Sequence, residues 1–205
     1  MVFSARSRHS GKKSEFGQVG AALAFNLKKS IVMVGMMGAG KTAVGQALAA
    51  RLDVPFLDSD EEIVRAANMS IAEIFERDGE AFFRDRETEV IGRLLDGPRA
   101  ILSTGGGAFM AERNRTMISD RGVSLLLRAD LELLWNRVKH KDTRPLLRTP
   151  DPKATLTEIY NARVPVYELA DVAVDAHPDY TIAQMTEAVI EVLKTRPDVL
   201  EEIPE

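Results

Sequence analysis

The chain has 205 residues, of which 45% are hydrophobic and 28% charged, an ordinary composition for a globular protein. It contains no cysteine, which excludes a disulfide framework, a thiolate metal site and a cysteine nucleophile. No stretch approaches the 18 consecutive apolar residues of a membrane-spanning helix. We therefore expect one α/β domain of the reducing cytoplasm that does not cross a membrane.

The net charge of −4 is unevenly distributed along the chain. Residues 1–30 contain six basic side chains and one acidic side chain, a net of +5, which leaves −9 for the rest. The acidic body argues against broad nucleic-acid binding. Residues 1–28 are rich in Ser, Gly and basic residues without sustained periodicity, so we predict a flexible basic N-terminal extension. An organelle transit peptide is an alternative, since the stretch is poor in acids.

The strongest motif follows a short apolar strand predicted at residues 31–34. Gly35-x-x-x-x-Gly40-Lys41-Thr42 fits the phosphate-binding loop at every fixed position, and a helical apolar pattern comes next. Glycines let the backbone N–H groups approach an anion at the helix N-terminus. Lys41 can reach the β- and γ-phosphates, and the Thr42 hydroxyl can ligate Mg²⁺. The motif predicts a nucleoside triphosphate but not the fate of its phosphate.

Two carboxylates follow the next strand, predicted at residues 54–57, in the sequence Asp58-Ser59-Asp60. In open α/β sheets, ligands bind outside the carboxyl ends of the strands. One carboxylate could therefore lie near Mg²⁺ and the other beside an acceptor hydroxyl. The alternative is N-capping of the helix that follows, and the two roles are compatible.

A charged cluster, Arg84-Asp85-Arg86-Glu87, lies within one turn of a later predicted helix. It is either a solvated surface with helix ion pairs, or an arginine that neighbouring acids hold in place to bind a substrate carboxylate.

Three consecutive glycines, Gly105, Gly106 and Gly107, follow a strand predicted at residues 100–103. Such a run costs backbone entropy on folding. The cost is explained if another group must approach the backbone closely, and here that group could be a substrate. A simple flexible turn is the alternative.

A basic, proline-bearing stretch at about residues 140–153 lacks apolar periodicity. It is either a mobile lid that carries Arg144 over the phosphates or a plain surface loop. The helix predicted from Ala154 contains Pro165, which should bend or break it and could aim Arg163 inward.

The alternation of strands and helices gives about five strands, and we predict one parallel sheet with helices on both faces. A final strand, a final amphipathic helix and a polar C-terminal tail at residues 196–205 complete the chain.

The chain resembles shikimate kinase over residues 29–195. The resemblance implies a three-layer P-loop nucleoside-triphosphate kinase fold like that of adenylate kinase, a monomer, and a role in aromatic amino acid biosynthesis in the cytoplasm. It rests on motifs in the family's order, which here read GMMGAGKT, DSD, GEAFFRDRE, STGGG, RPLL and NARVPVY.

On the phosphate side, the resemblance implies that Lys41 stabilises the transferring γ-phosphoryl and that Arg144 comes down with the lid. Thr42 would bind Mg²⁺ directly, Asp58 would support it through water, and Arg137 would lie against the adenine ring. The ATP-binding residues so implied are Gly38, Ala39, Gly40, Lys41, Thr42, Ala43, Arg137 and Arg144.

On the acceptor side, the resemblance implies that Asp60 holds the attacking hydroxyl of shikimate and accepts its proton. Arg84 and Arg163 would bind the shikimate carboxylate, as a planar guanidinium suits a carboxylate better than an ammonium does. Backbone N–H groups of Gly105, Gly106 and Gly107 would face the substrate. The catalytic residues so implied are Lys41, Asp60 and Arg144.

Two other hypotheses remain open at this point. One is another small-molecule P-loop kinase. A gluconate kinase would not be expected to carry the set of DSD, FRDRE and TGGG motifs, and a nucleoside monophosphate kinase would need a base-binding pocket, of which the sequence shows no sign. A non-catalytic nucleotide-binding module would have no use for an acceptor site at Asp60, Arg84 and Arg163.

Overall fold

The computed structural model describes residues 24–140 and 145–203. Short 3₁₀ turns cover Ala108–Met110 and Pro145–Leu147. The strands are β1 (Ala24–Leu27), β2 (Ser30–Val34), β3 (Phe56–Asp58), β4 (Ile101–Ser103), β5 (Gly122–Arg128), β6 (Val172–Asp175) and β7 (Leu200–Ile203). The helices are α1 (Lys41–Leu52), α2 (Ser59–Ala67), α3 (Ile71–Leu95), α4 (Glu112–Arg121), α5 (Leu131–Val138), α6 (Pro152–Tyr167) and α7 (Ile182–Lys194).

Five strands form one parallel sheet in the order β3-β4-β2-β5-β6, which confirms the predicted architecture. Every residue of β2 is buried, as expected for a central strand with helices on both faces. Because crossovers between parallel strands are right-handed, α1 lies on one face and α3 and α4 lie on the other. Helix α7 packs against α1, and α4 packs against α3. This strand order places the carboxyl ends of β3, β4 and β2 side by side at the carboxyl edge of the sheet.

Strand β3 begins at Phe56, two residues later than predicted. The Val54 N–H bonds back to the Ala49 carbonyl at the end of α1, at 3.0 Å, and Pro55 has no N–H to give to a neighbouring strand. The strand also ends one residue later than predicted, so Asp58 is its last residue and does not follow it.

Helix α3 is interrupted at Gly79, where φ is 82° and ψ is 172°. This is the residue at which the sequence predicts one helix to end and the next to begin. Ile63, Ile74 and Phe83 form a small second core between α2 and α3. The core fixes the segment after the break, and Arg84 lies in its first turn and a half.

The two ends of the described chain pair with each other, although the sequence predicts no strand in either terminal segment. Strand β1 lies antiparallel to β7, with Ala24 opposite Ile203 and Leu27 opposite Leu200. Ion pairs from Lys28 to Glu201 and from Lys29 to Asp198 accompany this ribbon. Each strand has only four residues, which is too short to show a periodicity that predicts a strand, and the pairing depends on contacts distant in sequence. The rest of the predicted extension, residues 1–23, lies outside the described residues.

The predicted lid is described only in part. Residues 141–144, including Arg144, lie outside the described residues, and a 3₁₀ turn follows at Pro145–Leu147. Helix α6 starts at Pro152, where the Asp151 side chain caps it, and continues through Pro165 to Tyr167. The expected break is therefore absent, because a proline in the last turn removes only one helix bond. Among the described helices, none has the length and apolar character needed to cross a bilayer.

Candidate active site

The loop between β2 and α1 adopts backbone angles that glycine reaches most easily. The φ angles are +133° at Gly35, +83° at Gly38 and +105° at Gly40. A Cβ atom on Gly38 would also lie 2.7 Å from a methyl carbon of Val138. The loop therefore presents backbone N–H groups and the start of α1 at the carboxyl edge of the sheet, where an anion can bind.

Two cations contact this loop. The Lys41 ammonium donates to the carbonyls of Gly35 at 2.8 Å and Met36 at 3.3 Å. The Arg137 guanidinium, from α5, donates to the carbonyls of Gly38 and Ala39 at 3.3 and 3.2 Å. The predicted ATP-binding arginine therefore lies against the phosphate loop itself.

Thr42 and Asp58 are the predicted metal-binding residues. Thr42 is exposed in the first turn of α1, next to Ala43. The Asp58 carboxylate caps α2, since its Oδ1 accepts from the backbone N–H groups of Asp60 at 2.9 Å and Glu61 at 3.4 Å. The capping alternative is thus realised in the structure. A hydroxyl and a carboxylate are donor types that suit Mg²⁺.

Asp60 lies in the first turn of α2 and points toward the glycine run. Its Oδ1 is buried and has no hydrogen-bond partner among the described residues. Burial raises the pKa of the Asp60 carboxyl, and the Asp58 carboxylate adds to the rise, whereas Lys41 and Arg84 oppose it. A buried, unpartnered carboxylate oxygen between two cations can accept a hydrogen bond, and then a proton, from an acceptor hydroxyl.

Each of the three consecutive glycines makes room for a different predicted site residue. A Cβ atom on Gly105 would lie 3.0 Å from Asp60 Oδ1, and one on Gly106 would lie 3.0 Å from Arg163 Nη1. A Cβ atom on Gly107 would lie only 2.6 Å from both terminal nitrogens of Arg84. Side chains from α2, α3 and α6 therefore converge on one loop. The sequence predicted that some group approaches the three glycines closely, and in the structure these side chains do so.

Arg84 is held by two acids of its own helix. Its Nη1 donates to Glu87 Oε2 at 2.9 Å, and its Nε and Nη2 lie 3.3 and 3.2 Å from Glu80 Oε1. Glu87 is only 1% exposed, and burial raises the pKa of its carboxyl despite the neighbouring Arg84. Its Oε1 has no hydrogen-bond partner among the described residues. The cluster matches the substrate-binding interpretation more closely than a fully solvated surface.

Arg163 reaches the glycine run from α6, next to Tyr167. The Tyr167 side chain is 1% exposed, and its hydroxyl donates to the Gly106 carbonyl at 2.6 Å. Arg163 Nη1 and the same hydroxyl lie 3.0 and 3.3 Å from the position that a Cβ atom on Gly106 would take, and the nearby guanidinium opposes the rise in the pKa of Tyr167. Because residues four apart lie on one face of a helix, Arg163 and Tyr167 act on the loop together.

The structure thus brings most of the predicted site residues to one edge of the sheet. Lys41 and Arg84 are close enough to Asp60 to perturb its carboxyl, and the glycine run joins Asp60, Arg84 and Arg163. Arg144 lies outside the described residues.

Tyr167 received no role from the sequence, and Glu87 was considered only as one of several acids near Arg84. Glu87 was visible as an acid three residues after Arg84, a spacing that places both on one helix face. Tyr167 lies four residues after Arg163 in the NARVPVY motif. Neither position shows from the sequence alone that it is buried, and burial is what connects each of them to the site.

Comparisons with known proteins agree with this geometry. A family model described as shikimate kinase matches residues 37–194. The shikimate kinase of Ruegeria pomeroyi is 69% identical over 175 residues, which cover 85% of this chain and 90% of that protein. The shikimate kinase of Cereibacter sphaeroides is 60% identical over 201 residues, 98% of each chain.

Among solved structures, shikimate kinase from Acinetobacter baumannii in complex with shikimate aligns with a TM-score of 0.72 and 36% identity. The alignment covers 82% of this chain and 92% of that one. The family match covers well over half of the chain, and relatives match it at high identity across nearly their whole length. The chain therefore belongs to the shikimate kinase family.

Proposed function

We propose that the protein transfers the γ-phosphoryl group of ATP to the 3-hydroxyl of shikimate, which gives 3-phosphoshikimate and ADP for aromatic amino acid biosynthesis. The observation that carries the proposal is the convergence of Asp60, Arg84 and Arg163 on Gly105, Gly106 and Gly107. The convergence occurs near the lysine of a phosphate-binding loop, in a chain of the shikimate kinase family.

The phosphate side supplies positive charge to the transferring group. Lys41 leaves the carbonyls of Gly35 and Met36 to contact the β- and γ-phosphates, and the N–H groups of the loop bind the same oxygens. Arg137, which contacts the loop carbonyls, is well placed to contact the nucleotide. Phosphoryl transfer proceeds mainly through positioning and charge stabilisation, so these groups supply much of the catalysis.

The acceptor side orients a small hydroxy acid. Arg163 and Arg84 present guanidinium groups to the neighbouring residues Gly106 and Gly107, and a carboxylate that contacts both arginines gains charge-assisted hydrogen bonds. The unpartnered Oδ1 of Asp60 then accepts from the attacking hydroxyl. Its raised pKa makes Asp60 a stronger base than an exposed aspartate, while Lys41 and Arg84 favour its ionised form.

Mg²⁺ fits the residues on the phosphate side. Thr42 would bind it through the hydroxyl, and Asp58 would hold it through water, since one Asp58 oxygen already caps α2. No group of three or more His, Cys, Asp or Glu residues that could hold a metal occurs among residues 24–140 and 145–203. Mg²⁺ commonly keeps several waters and binds substrate phosphates beside one or two protein ligands. When bound, Mg²⁺ neutralises charge on the β- and γ-phosphates.

Closure of a lid that carries Arg144, a monomeric state and a cytoplasmic location stay predictions from the resemblance. A gluconate-type kinase is disfavoured because the family match names shikimate kinase. A non-catalytic nucleotide-binding module is disfavoured because it has no use for the three converging acceptor-side residues.

An assay of ADP release with Mg·ATP tests the proposal. We would compare shikimate, gluconate, a nucleoside monophosphate and no acceptor. Release that depends on shikimate alone is the expected result, and equal release with any other acceptor would contradict the assignment.

The Asp60→Asn variant tests the role of the base. Turnover with shikimate should fall by roughly 10²- to 10⁴-fold, because the variant cannot accept the proton. ATP binding, measured by calorimetry, should be unchanged, since the phosphate loop is intact. Undiminished transfer to shikimate would remove Asp60 from the reaction.

A further inference from the structure

We propose that the Tyr167 hydroxyl is a positioning group that connects the Arg163 guanidinium to the Gly106 carbonyl and so aligns two parts of the acceptor site. The inference rests on the proposed function, because it assigns Arg163 and the glycine loop to shikimate binding. It concerns a residue that transfers no proton and need not touch substrate.

The first step is the direction of the hydrogen bonds. A phenol has one proton to donate, and the Tyr167 hydroxyl gives it to the Gly106 carbonyl at 2.6 Å. Its lone pairs are then available to accept from Arg163, which has only donors. Burial raises the pKa of this hydroxyl, so that it keeps its proton at neutral pH. The chain of donors therefore runs one way, from Arg163 through Tyr167 to Gly106.

The second step is the rigidity of the tyrosine itself. Tyr167 is 1% exposed, and its ring stacks on Phe109 with a centroid distance of 6.5 Å and an interplanar angle of 27°. A buried ring has little freedom to carry its hydroxyl elsewhere. The hydroxyl therefore has a fixed position, and it orients both Arg163 and the Gly106 carbonyl.

The third step is that the glycine loop is held from its other side. The buried Asn114 amide donates to the Ala108 carbonyl at 2.8 Å. Arg115 Nη1 donates to the carbonyls of Phe109 at 2.9 Å and Met110 at 2.7 Å. Helix α4 therefore fixes the carbonyls of residues 108–110, and Tyr167 fixes that of Gly106 from α6.

The fourth step concerns the peptide between Gly106 and Gly107. A trans peptide is planar, so its carbonyl and its N–H point in opposite directions. The bond from Tyr167 draws the Gly106 carbonyl toward α6, and the Gly107 N–H is thereby aimed away from α6. Glycines lack a side chain that would restrict this peptide, so an external hydrogen bond is needed to orient it.

The Tyr167→Phe variant removes the hydroxyl and keeps the ring. Shikimate KM should rise roughly 5- to 30-fold, the equivalent of one lost hydrogen bond to a charged or peptide group. ATP KM should change less than about twofold, and kcat should stay within about threefold, because the phosphate loop and Asp60 are untouched. Calorimetric shikimate binding should weaken by the same factor as KM rises.

A matched control comes from the same helix. The Tyr160→Phe variant removes a phenol hydroxyl two turns earlier on α6, where it makes no side-chain hydrogen bond to the described residues. We expect shikimate KM to be unchanged in this variant. A loss of shikimate affinity equal to that of Tyr167→Phe would overturn the proposal, since it would reflect the helix and not the hydroxyl.

A second variant perturbs the same connection without removing a buried polar group. In Gly106→Ala, the new Cβ would lie 3.0 Å from Arg163 Nη1 and 3.3 Å from the Tyr167 hydroxyl. It should raise shikimate KM and leave ATP KM unchanged. This variant decides the question if Tyr167→Phe fails to fold, and unchanged shikimate KM in Gly106→Ala would then overturn the proposal.

A double variant tests whether the hydroxyl works through Arg163. Once Arg163→Ala has been made, adding Tyr167→Phe should weaken shikimate binding much less than it does alone. Full additivity of the two changes would contradict the coupling. If the unaltered protein failed to phosphorylate shikimate, the proposed function would fail. If the unaltered protein were active and Tyr167→Phe kept its shikimate KM, only the positioning role would fail.

Discussion

The two glycine-rich loops of this site use glycine for different physical reasons. In the phosphate loop, Gly35, Gly38 and Gly40 all have φ between +83° and +133°. In the acceptor loop, Gly105, Gly106 and Gly107 are not among the described residues with positive φ. There, a Cβ atom would instead collide with side chains of other helices. The first loop needs the backbone freedom of glycine in addition to space at Gly35 and Gly38, whereas the second needs the space alone.

The same contrast separates the two halves of the site. Apart from Arg137, which reaches it from α5, the phosphate half is local, since Lys41 bonds to carbonyls only five and six residues away. The acceptor half is assembled over long distances, as in the bond from Tyr167 to Gly106, 61 residues apart. Substitutions in one half should therefore change the KM of one substrate and leave the KM of the other unchanged. The predictions below use this separation.

The largest expected effect is that of Arg84→Ala. Loss of the guanidinium should weaken shikimate binding by about 2–5 kcal/mol, the range for a desolvated charge pair, with ATP KM unchanged. The measurement is steady-state kinetics with each substrate varied in turn. Arg86→Ala is the matched control, because Arg86 is an exposed arginine two residues later that pairs with Glu89. Equal shikimate KM values in the two variants would remove Arg84 from the acceptor half.

A pair of glycine variants tests the comparison directly. In Gly107→Ala the backbone is already helical in φ and ψ, so the only cost is the contact of the new Cβ with Arg84. In Gly38→Ala, φ is +83° and the penalty should be about 1–2 kcal/mol of backbone strain, plus the clash with Val138.

We expect Gly107→Ala to raise shikimate KM by roughly tenfold, equivalent to about 1–3 kcal/mol of overpacking, and to leave ATP KM unchanged. Gly38→Ala should raise ATP KM and lower the midpoint of thermal unfolding. Each variant serves as the control for the other. If both variants raised the KM of the same substrate, the proposed division of the site would be wrong.

The phosphate half was predictable because a phosphate loop is a contiguous motif with its strand and helix attached. The five strands were predictable for a similar reason, since buried parallel strands are short apolar runs. For the acceptor half, Asp60, Arg84 and Arg163 were named through a resemblance. Which glycine faces which side chain depends on how α2, α3 and α6 pack, and no local pattern encodes that packing.

Other features were missed because only tertiary contacts define them. The pairing of β1 with β7 joins segments at opposite ends of the chain, and each strand alone has four residues. Burial of Glu87 and Tyr167 likewise follows from the helices around them. Pro165 was expected to bend or break α6, and the helix continues through it to Tyr167, because few hydrogen bonds remain to be lost in the last turn.

The smallest expected effect concerns the stability of the acceptor half. Burial and the Asp60 carboxylate raise the pKa of Glu87 above its ordinary value of 4.5, while Arg84 and Arg113 lower it. Below pH 4.5, Glu87 is protonated in both the folded and the unfolded chain. As the pH rises through the raised folded pKa, the folded state holds a proton that the unfolded state has released, and stability falls.

Glu87→Gln should therefore be more resistant to urea than the unaltered protein at pH 7, and the advantage should shrink as the pH is lowered toward 4.5. Glutamine keeps the shape of the side chain and removes the buried charge, and urea titrations at several pH values measure the difference. Glu89→Gln, an exposed glutamate on the same helix that pairs with Arg86, is the control and should show little pH-dependent difference. The opposite result is a stability of Glu87→Gln, relative to the unaltered protein, that is lower at pH 7 than at pH 5. It would show that the ion pair with Arg84 outweighs burial. Arg84 and Glu87 would then stabilise the fold as well as form part of the proposed acceptor site.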